Sequence, residues 1–259
     1  MSEKLPTVSG APDSPQPSGD RTDTPPDPTM EESPPTWHLL STLAVAGALA
    51  GLLLVLVFQA TDPAIQAHRA RVLAESIDEV LGGPDRYETL FLVEGGLTTD
   101  PVGVDTAGLE RVYRGYDAQD HPLGFAIVGG EPGFQDVIGL IFGYEPSSGY
   151  VTGMKVLESK ETPGLGDKIE KDSVFVGRFL GVPTPLIGIK RGRSSGAEGE
   201  VEMITGATIS SRAVIDIINH RLEELEPALR AYDSDRAAVA GRGGAPGSVA
   251  EKAPPGGDR

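Results

Sequence analysis

Two short segments of this 259-residue chain carry residue types that could do chemistry. The first is Glu161-Thr162-Pro163-Gly164-Leu165-Gly166-Asp167-Lys168. Two glycines around a leucine permit close backbone approach and unusual φ/ψ angles, although the same pattern also suits a plain strand-to-helix turn. The second is Thr205-Gly206-Ala207-Thr208-Ile209-Ser210-Ser211, directly ahead of an amphipathic stretch. Small residues there let a ligand lie against the backbone. The hydroxyls of Thr208, Ser210 and Ser211 fall where a helix begins. Its unpaired N–H groups and the positive end of its dipole attract an anion, and phosphate is the natural guest. Ordinary N-capping by Ser or Thr is the competing use of these residues.

Other chemistries find less support. Cysteine is absent, which excludes disulfides, thiolate zinc sites, iron–sulfur clusters held by this chain and cysteine nucleophiles. His38, His68, His121 and His220 are scattered, so no metal site is expected. There is no GxSxG elbow and no Walker loop. No base can be paired with Thr208 from sequence, and no independent catalytic site is predicted. The net charge of −16 argues against a nucleic-acid partner, which needs a basic surface.

The elements that must position the two segments come next. Residues 1–36 hold nine Pro and ten Ser or Thr with isolated apolar groups, and read as a disordered tail. Leu39 to Phe58 is a run of twenty uncharged, mostly apolar residues. About 20 such residues span a hydrocarbon core, so 37–61 reads as a membrane anchor with Trp37 and His38 at its edge. A cleavable signal is disfavoured by the length of the run and by the lack of a basic leader. Arg69 and Arg71 lean weakly toward a cytoplasmic C-terminal side.

From Pro63 to Leu81, the residues Ile65, Val72, Leu73, Ile77, Val80 and Leu81 form one helical stripe, ended by Gly82-Gly83-Pro84. Strand-like runs follow at 87–93, 109–116, 123–128, 137–144 and 150–157, with turn residues at 117–121 and 145–149 that predict hairpins. A helix-like piece covers 167–180, a further run 186–190, a Gly/Ser/Arg loop 191–199 and a short strand 201–204. The last helix is expected over 210–225, and 233–259 reads as a second disordered tail. Strands in runs with helices at the ends predict an α+β domain of antiparallel strands and flanking helices over 62–232.

The two segments also carry a family resemblance. TGATISS resembles the S/T-G-A-T-x-S/T motif of the FMN-binding domain, and ETPGLGDK resembles its second motif, ETPGLG. With a single N-terminal span ahead of them in this order, the chain is similar to the G subunit of Rnf-type ion-translocating electron transport complexes. The C subunit of sodium-translocating NADH:quinone reductase is a relative with the same kind of site. That protein, or a stand-alone membrane-anchored flavoprotein, is the alternative reading; a membrane-anchored binding domain in which Thr208 is only a helix cap is another. Glu202 stands where the family often has Asp.

The resemblance implies an electron-transferring flavoprotein subunit of a membrane complex that couples ferredoxin/NAD-type electron transfer to ion movement. It implies FMN linked by a phosphoester to Thr208 by a separate flavin transferase. Gly206 and Ala207 would give room, Ser210 and Ser211 would donate to phosphate oxygens, and Thr205 would hold the first hydroxyl position. Glu161, Thr162, Gly164 and Leu165 would line the flavin. The other implied partners are the remaining subunits of the complex. The implied place is the bacterial inner membrane, with the C-terminal domain on the periplasmic side despite Arg69 and Arg71.

Overall fold

The computed structural model describes residues 36–240 apart from 95, 102 and 104. Residues 1–35 of the tail expected at 1–36, and 241–259 of the one expected at 233–259, lie outside these. The chain divides at Ala60/Thr61 into two compact units. Helix α1 (Thr36–Leu81) runs through that division, and Pro63 lies inside it rather than starting a second helix. Proline deletes one backbone donor, and here the helical residues on both sides carry the helix past it. Among the described residues α1 is the one helix long and apolar enough to cross a membrane, with Leu43, Leu54 and Phe58 exposed. Membrane anchoring follows from that run.

The second unit is a seven-stranded antiparallel sheet. Its strands are β1 (Arg86–Val93), β2 (Gly96–Thr98), β3 (Arg111–Tyr116), β4 (Pro122–Pro132), β5 (Val137–Glu145), β6 (Tyr150–Glu158) and β7 (Val182–Pro183), in the order β2-β1-β3-β4-β5-β6-β7. Strand β5 shows why it forms. Ile138, Leu140, Phe142 and Tyr144 alternate onto one face, and Ile141 lies on the other. Both faces are buried, each by a helix.

The last turns of α1 bring Ile77, Val80 and Leu81 against Tyr113, Ala126 and Ile141. Gly82 and Gly83 then take positive φ, and the Gly83 N–H returns to the Asp78 carbonyl to close the helix. Thr152 Oγ1 donates to the Val80 carbonyl, one of the helix-end acceptors left without an internal partner.

The opposite face is covered by α4 (Thr208–Ala240), through Val214, Ile217, Ile218, Leu222, Leu225 and Leu229. Along the chain, β6 and α4 are separated by α2 (Lys168–Lys171), α3 (Ser173–Gly177), β7 and a parallel pair, β8 (Ile187–Ile189) with β9 (Glu200–Glu202). The single helix-like piece expected at 167–180 is broken at Asp172, whose carboxylate caps α3 through the Val174 and Phe175 N–H groups.

The expected end of the folded domain at 232 needs correction. Helix α4 continues through Pro227 to Ala240, so 233–240 is helix rather than tail. Arg236 pairs with Glu88, and Asp233 pairs with Arg114. Partners more than a hundred residues away give the stretch 233–240 an anchoring that its own composition does not reveal. Strand β4 likewise runs past the expected Val128, because Gly129 and Gly130 pair with Leu140 and Gly139.

Candidate functional site

The TGAT segment is a tight turn between β9 and α4. The Ala207 N–H bonds to the Ile204 carbonyl, and the Ser211 N–H makes the first helical bond, to the Ala207 carbonyl. Gly206 sits at φ +87°, a conformation that side-chain-bearing residues rarely adopt. A Cβ at Gly206 would find only Leu165 Cδ2 within reach, at 3.9 Å. The two segments singled out from sequence therefore meet here. Gly164, Leu165, Thr205 and Gly206 are exposed, Thr208 is half-buried and Ala207 is buried.

Glu161 ties the segments together. It is 6% exposed. Its Oε2 accepts from Ser210 Oγ at 2.6 Å, and its Oε1 accepts from the Phe134 and Gln135 N–H groups at 2.9 and 3.0 Å. Thr162 Oγ1 donates to Gln135 Oε1 at 2.8 Å. Burial alone would raise the Glu161 carboxyl, but the bonds from the Gln135 N–H, the Ser210 hydroxyl and the Phe134 N–H outweigh it and hold it below the usual glutamate value. Gly166 and Gly133 leave space for this carboxylate, since a Cβ at either would run into Glu161.

Three expectations are corrected. Glu161 does not line an open site; its carboxylate is turned inward. Ser210 is buried with its proton given to Glu161. Ser211 is also buried, and its Oγ accepts from the Ile204 N–H at 3.1 Å. Neither serine is an outward-facing phosphate donor. Both hold the turn in shape. The sequence reading also missed the third strand of this knot, the turn at 133–136 between β4 and β5, whose only sequence signal was Pro132-Gly133 followed by Asp136.

Beside the turn lies a cleft of about 280 Å³. Helix α4 contributes Thr208, Ile209, Arg212, Ala213 and Asp216, and the end of β4 contributes Glu131 and Pro132. The Thr208 hydroxyl has no hydrogen-bond partner among the described residues. Glu131 is committed to His220, at 2.7 Å, and that bond raises the imidazole pKa above its ordinary value. Arg212, Glu131 and Asp216 were not singled out from sequence. The spacing of Thr208 and Arg212 by one helical turn could have found the first of them. Among the described residues no cluster of three His, Asp or Glu side chains could hold a metal ion.

The residues present suit a phosphate-bearing flavin. A free hydroxyl, an exposed arginine and a helix start offer the phosphate a place, and Leu165 and Ile209 present exposed apolar surface beside it. Glu202, at the Asp position of the motif, instead accepts from Arg178 at 2.6 Å and from the Gly192 N–H at 3.2 Å, which ties β9 to α3 and to the loop after β8.

This chain is similar to known proteins. Residues 133–223 match the FMN-binding domain family. The G subunit of the ion-translocating oxidoreductase complex of Erwinia tasmaniensis is 32% identical over 183 residues, covering 68% of this chain and 83% of that protein. The protein of the same description from Methanosarcina acetivorans is 27% identical over 194 residues, covering 75% and 96%. The crystal structure of NqrC from Shewanella oneidensis superposes with a TM-score of 0.56 at 16% identity, over 64% of this chain and 99% of that one, and so shares the fold.

Proposed function

The chain belongs to the family of ion-translocating oxidoreductase complex G subunits, and from that premise we propose that it carries FMN covalently, through a phosphoester to Thr208, as an electron-transferring subunit of such a complex. The observation that carries the attachment is the unengaged Thr208 hydroxyl on the first turn of α4, lining the cleft two residues after a glycine at φ +87°. Thr205 is exposed on the same turn but precedes the helix.

A threonine hydroxyl is a weak nucleophile without a base, and none is within hydrogen-bond reach of Thr208. A flavin transferase supplies the activation, with FAD as the co-reactant. The Thr208 oxygen forms a bond to the FMN phosphorus, the pyrophosphate P–O bond breaks, AMP leaves, and the hydroxyl proton is released. No atom changes oxidation state in this step. The bound flavin then supplies the electron chemistry, of the ferredoxin/NAD type. This chain's residues fix where the flavin sits. Gly206 lets the backbone turn beside the phosphate, Leu165 covers the turn, and Glu161 with Ser210 locks the ETPGLG loop to the helix start. The other subunits of the complex are the electron partners. The anchor lies in the bacterial inner membrane with the second unit on the periplasmic side.

The test is co-expression with a flavin transferase, a denaturing gel read by flavin fluorescence, and peptide mass mapping. The wild-type chain should fluoresce, with the FMN mass on the peptide that holds Thr208. Thr208→Ala and Thr208→Val should lose the signal while keeping the fold, and Thr205→Ala should retain it. Flavin mass on another peptide would exclude Thr208. Protease protection of the second unit in sealed cells with a permeabilised outer membrane would exclude the periplasmic placement.

A further inference from the structure

Arginine side chains in the second unit mostly have a carboxylate. Arg86 meets Asp120, Arg114 meets Asp233, Arg178 meets Glu202, Arg221 meets Glu110, Arg230 meets Glu226 and Arg236 meets Glu88. Arg212 does not. It is exposed, and it has no ion pair or side-chain hydrogen bond among the described residues, in a chain of net charge −16.

Its position gives that charge a use. Arg212 follows Thr208 by four residues on α4, so the two side chains share a helix face, and they line the same cleft. The other charges in the cleft are acidic, Glu131 and Asp216. Glu131 is engaged by His220. A phosphodiester on Thr208 would bring one more negative charge beside Asp216, and Arg212 is the cation within reach of it.

We propose that Arg212 is the phosphate-holding residue of this site: its guanidinium binds the phosphodiester on Thr208, and before transfer it binds the corresponding phosphate of the flavin donor. This rests on the attachment reading above. A planar guanidinium can give two parallel N–H bonds to phosphate oxygens, which fixes direction as well as charge. Thr208 supplies the covalent bond, the helix start supplies partial positive charge, and Arg212 stops the phosphate, and with it the flavin, from rotating freely about the threonine side chain. It is a positioning residue, since its proposed contact is with the phosphate and not with the flavin ring.

The experiment uses the full-length chain co-expressed with flavin transferase, as wild type, Arg212→Gln, Arg212→Lys and Thr208→Ala. Arg212 is exposed and unpaired, so thermal unfolding should be unchanged in both Arg212 variants. Two readouts follow: the initial rate of covalent loading, and the fluorescence anisotropy of flavin on the loaded, native protein. Arg212→Gln should load about tenfold more slowly, the scale of one charge-assisted contact, and should hold its flavin with lower anisotropy. Arg212→Lys should recover the rate in part, as a point charge does, but less of the anisotropy. Raising the salt should lower wild-type loading toward that of Arg212→Gln and leave the variant nearly flat. Wild-type anisotropy in loaded Arg212→Gln overturns the proposal whatever its loading rate, and leaves attachment at Thr208 intact. Wild-type protein with no flavin on the Thr208 peptide overturns the attachment itself, and the role of Arg212 with it.

Discussion

Two buried charges, one at each end of the folded unit's working parts, are accommodated in opposite ways. Glu161 is 6% exposed and is surrounded by neutral donors: two backbone N–H groups and one serine hydroxyl. Arg114 is 4% exposed and is met by one carboxylate, Asp233, and by the faces of Tyr116, Phe125 and Tyr232 at 5.2–5.4 Å. Its Nε and Nη1 have no partner among the described residues. Glu161 joins three segments of chain at the cofactor end. Arg114 fastens the late turns of α4 to the sheet. A carboxylate fully satisfied by directional bonds fixes geometry, which the proposed phosphoester at Thr208 would need. A cation held by aromatic faces tolerates small shifts, which is enough for a helix end.

The sharpest way to break this contrast is to delete the Glu161 carboxylate. Glu161→Ala leaves the Phe134 and Gln135 N–H groups and the Ser210 hydroxyl without their acceptor, and should cost about 3 kcal/mol. For a domain of this size that lowers the melting temperature by roughly 6–12 °C, and flavin loading should fall with it. Glu161→Gln can turn its carbonyl oxygen to the two N–H groups and its amide to the serine oxygen, and should cost about 1 kcal/mol. Equal melting temperatures for wild type and Glu161→Ala would show that these bonds do not hold the site.

Arg114→Met comes next, at about 2 kcal/mol. Breaking a deeply buried pair costs about 3–5 kcal/mol, but the Asp233 side chain is 30% exposed and can recover water when its partner goes. The loss should appear in thermal unfolding and leave covalent loading of the folded protein unchanged. Reduced loading at matched folded fraction would show that the two ends are coupled.

Gly206→Val tests the cofactor end from the other side. A β-branched residue at φ +87° is strained by about 1–2 kcal/mol, less than the Glu161→Ala change. Loading should nevertheless drop more than stability, because the new side chain points from the turn that carries Thr208. Full loading of this variant would mean the turn does not approach the phosphate closely.

Much of this was legible in the sequence and some was not, for physical reasons. The strand-like run at 137–144 marked β5, and the stripe of Val214, Ile215, Ile217, Ile218, Leu222 and Leu225 marked the face of α4 that covers the sheet. The antiparallel sheet followed from runs separated by turn residues. The two site segments were visible because small residues and hydroxyls at fixed spacing are rare in combination. Their knot was not, because Glu161 reaches Phe134 and Ser210 across 27 and 49 residues. A hydroxyl's direction is also not written in its identity: Ser210 and Ser211 read like Thr208, yet both face inward. The last helix was expected to end at Leu225, and burial of Leu225, Ala228 and Leu229 carries α4 past Pro227.

The smallest effect, and the finest discriminator, is acid dependence. The Glu161 carboxyl is held below its ordinary value of 4.5 in the folded chain. Between that lowered value and 4.5 the unfolded chain binds more protons, so stability rises with pH there. Its contribution is complete above 4.5 and is lost as pH falls through the folded value. Asp233 behaves oppositely. Burial raises its carboxyl above 3.8, and Arg114 only partly opposes this. Between 3.8 and that raised value the folded chain binds more protons, so stability falls as pH rises, and the penalty persists at neutral pH. Other carboxylates titrate in the same window, so the measurement is a difference: melting temperature against pH for wild type minus Glu161→Gln, and for wild type minus Asp233→Asn. The first difference should shrink on acidification. The second should move in favour of wild type as pH falls toward 3.8. Parallel slopes in the two difference curves would mean that one kind of solvation serves both charges, and the contrast between the two ends would be lost.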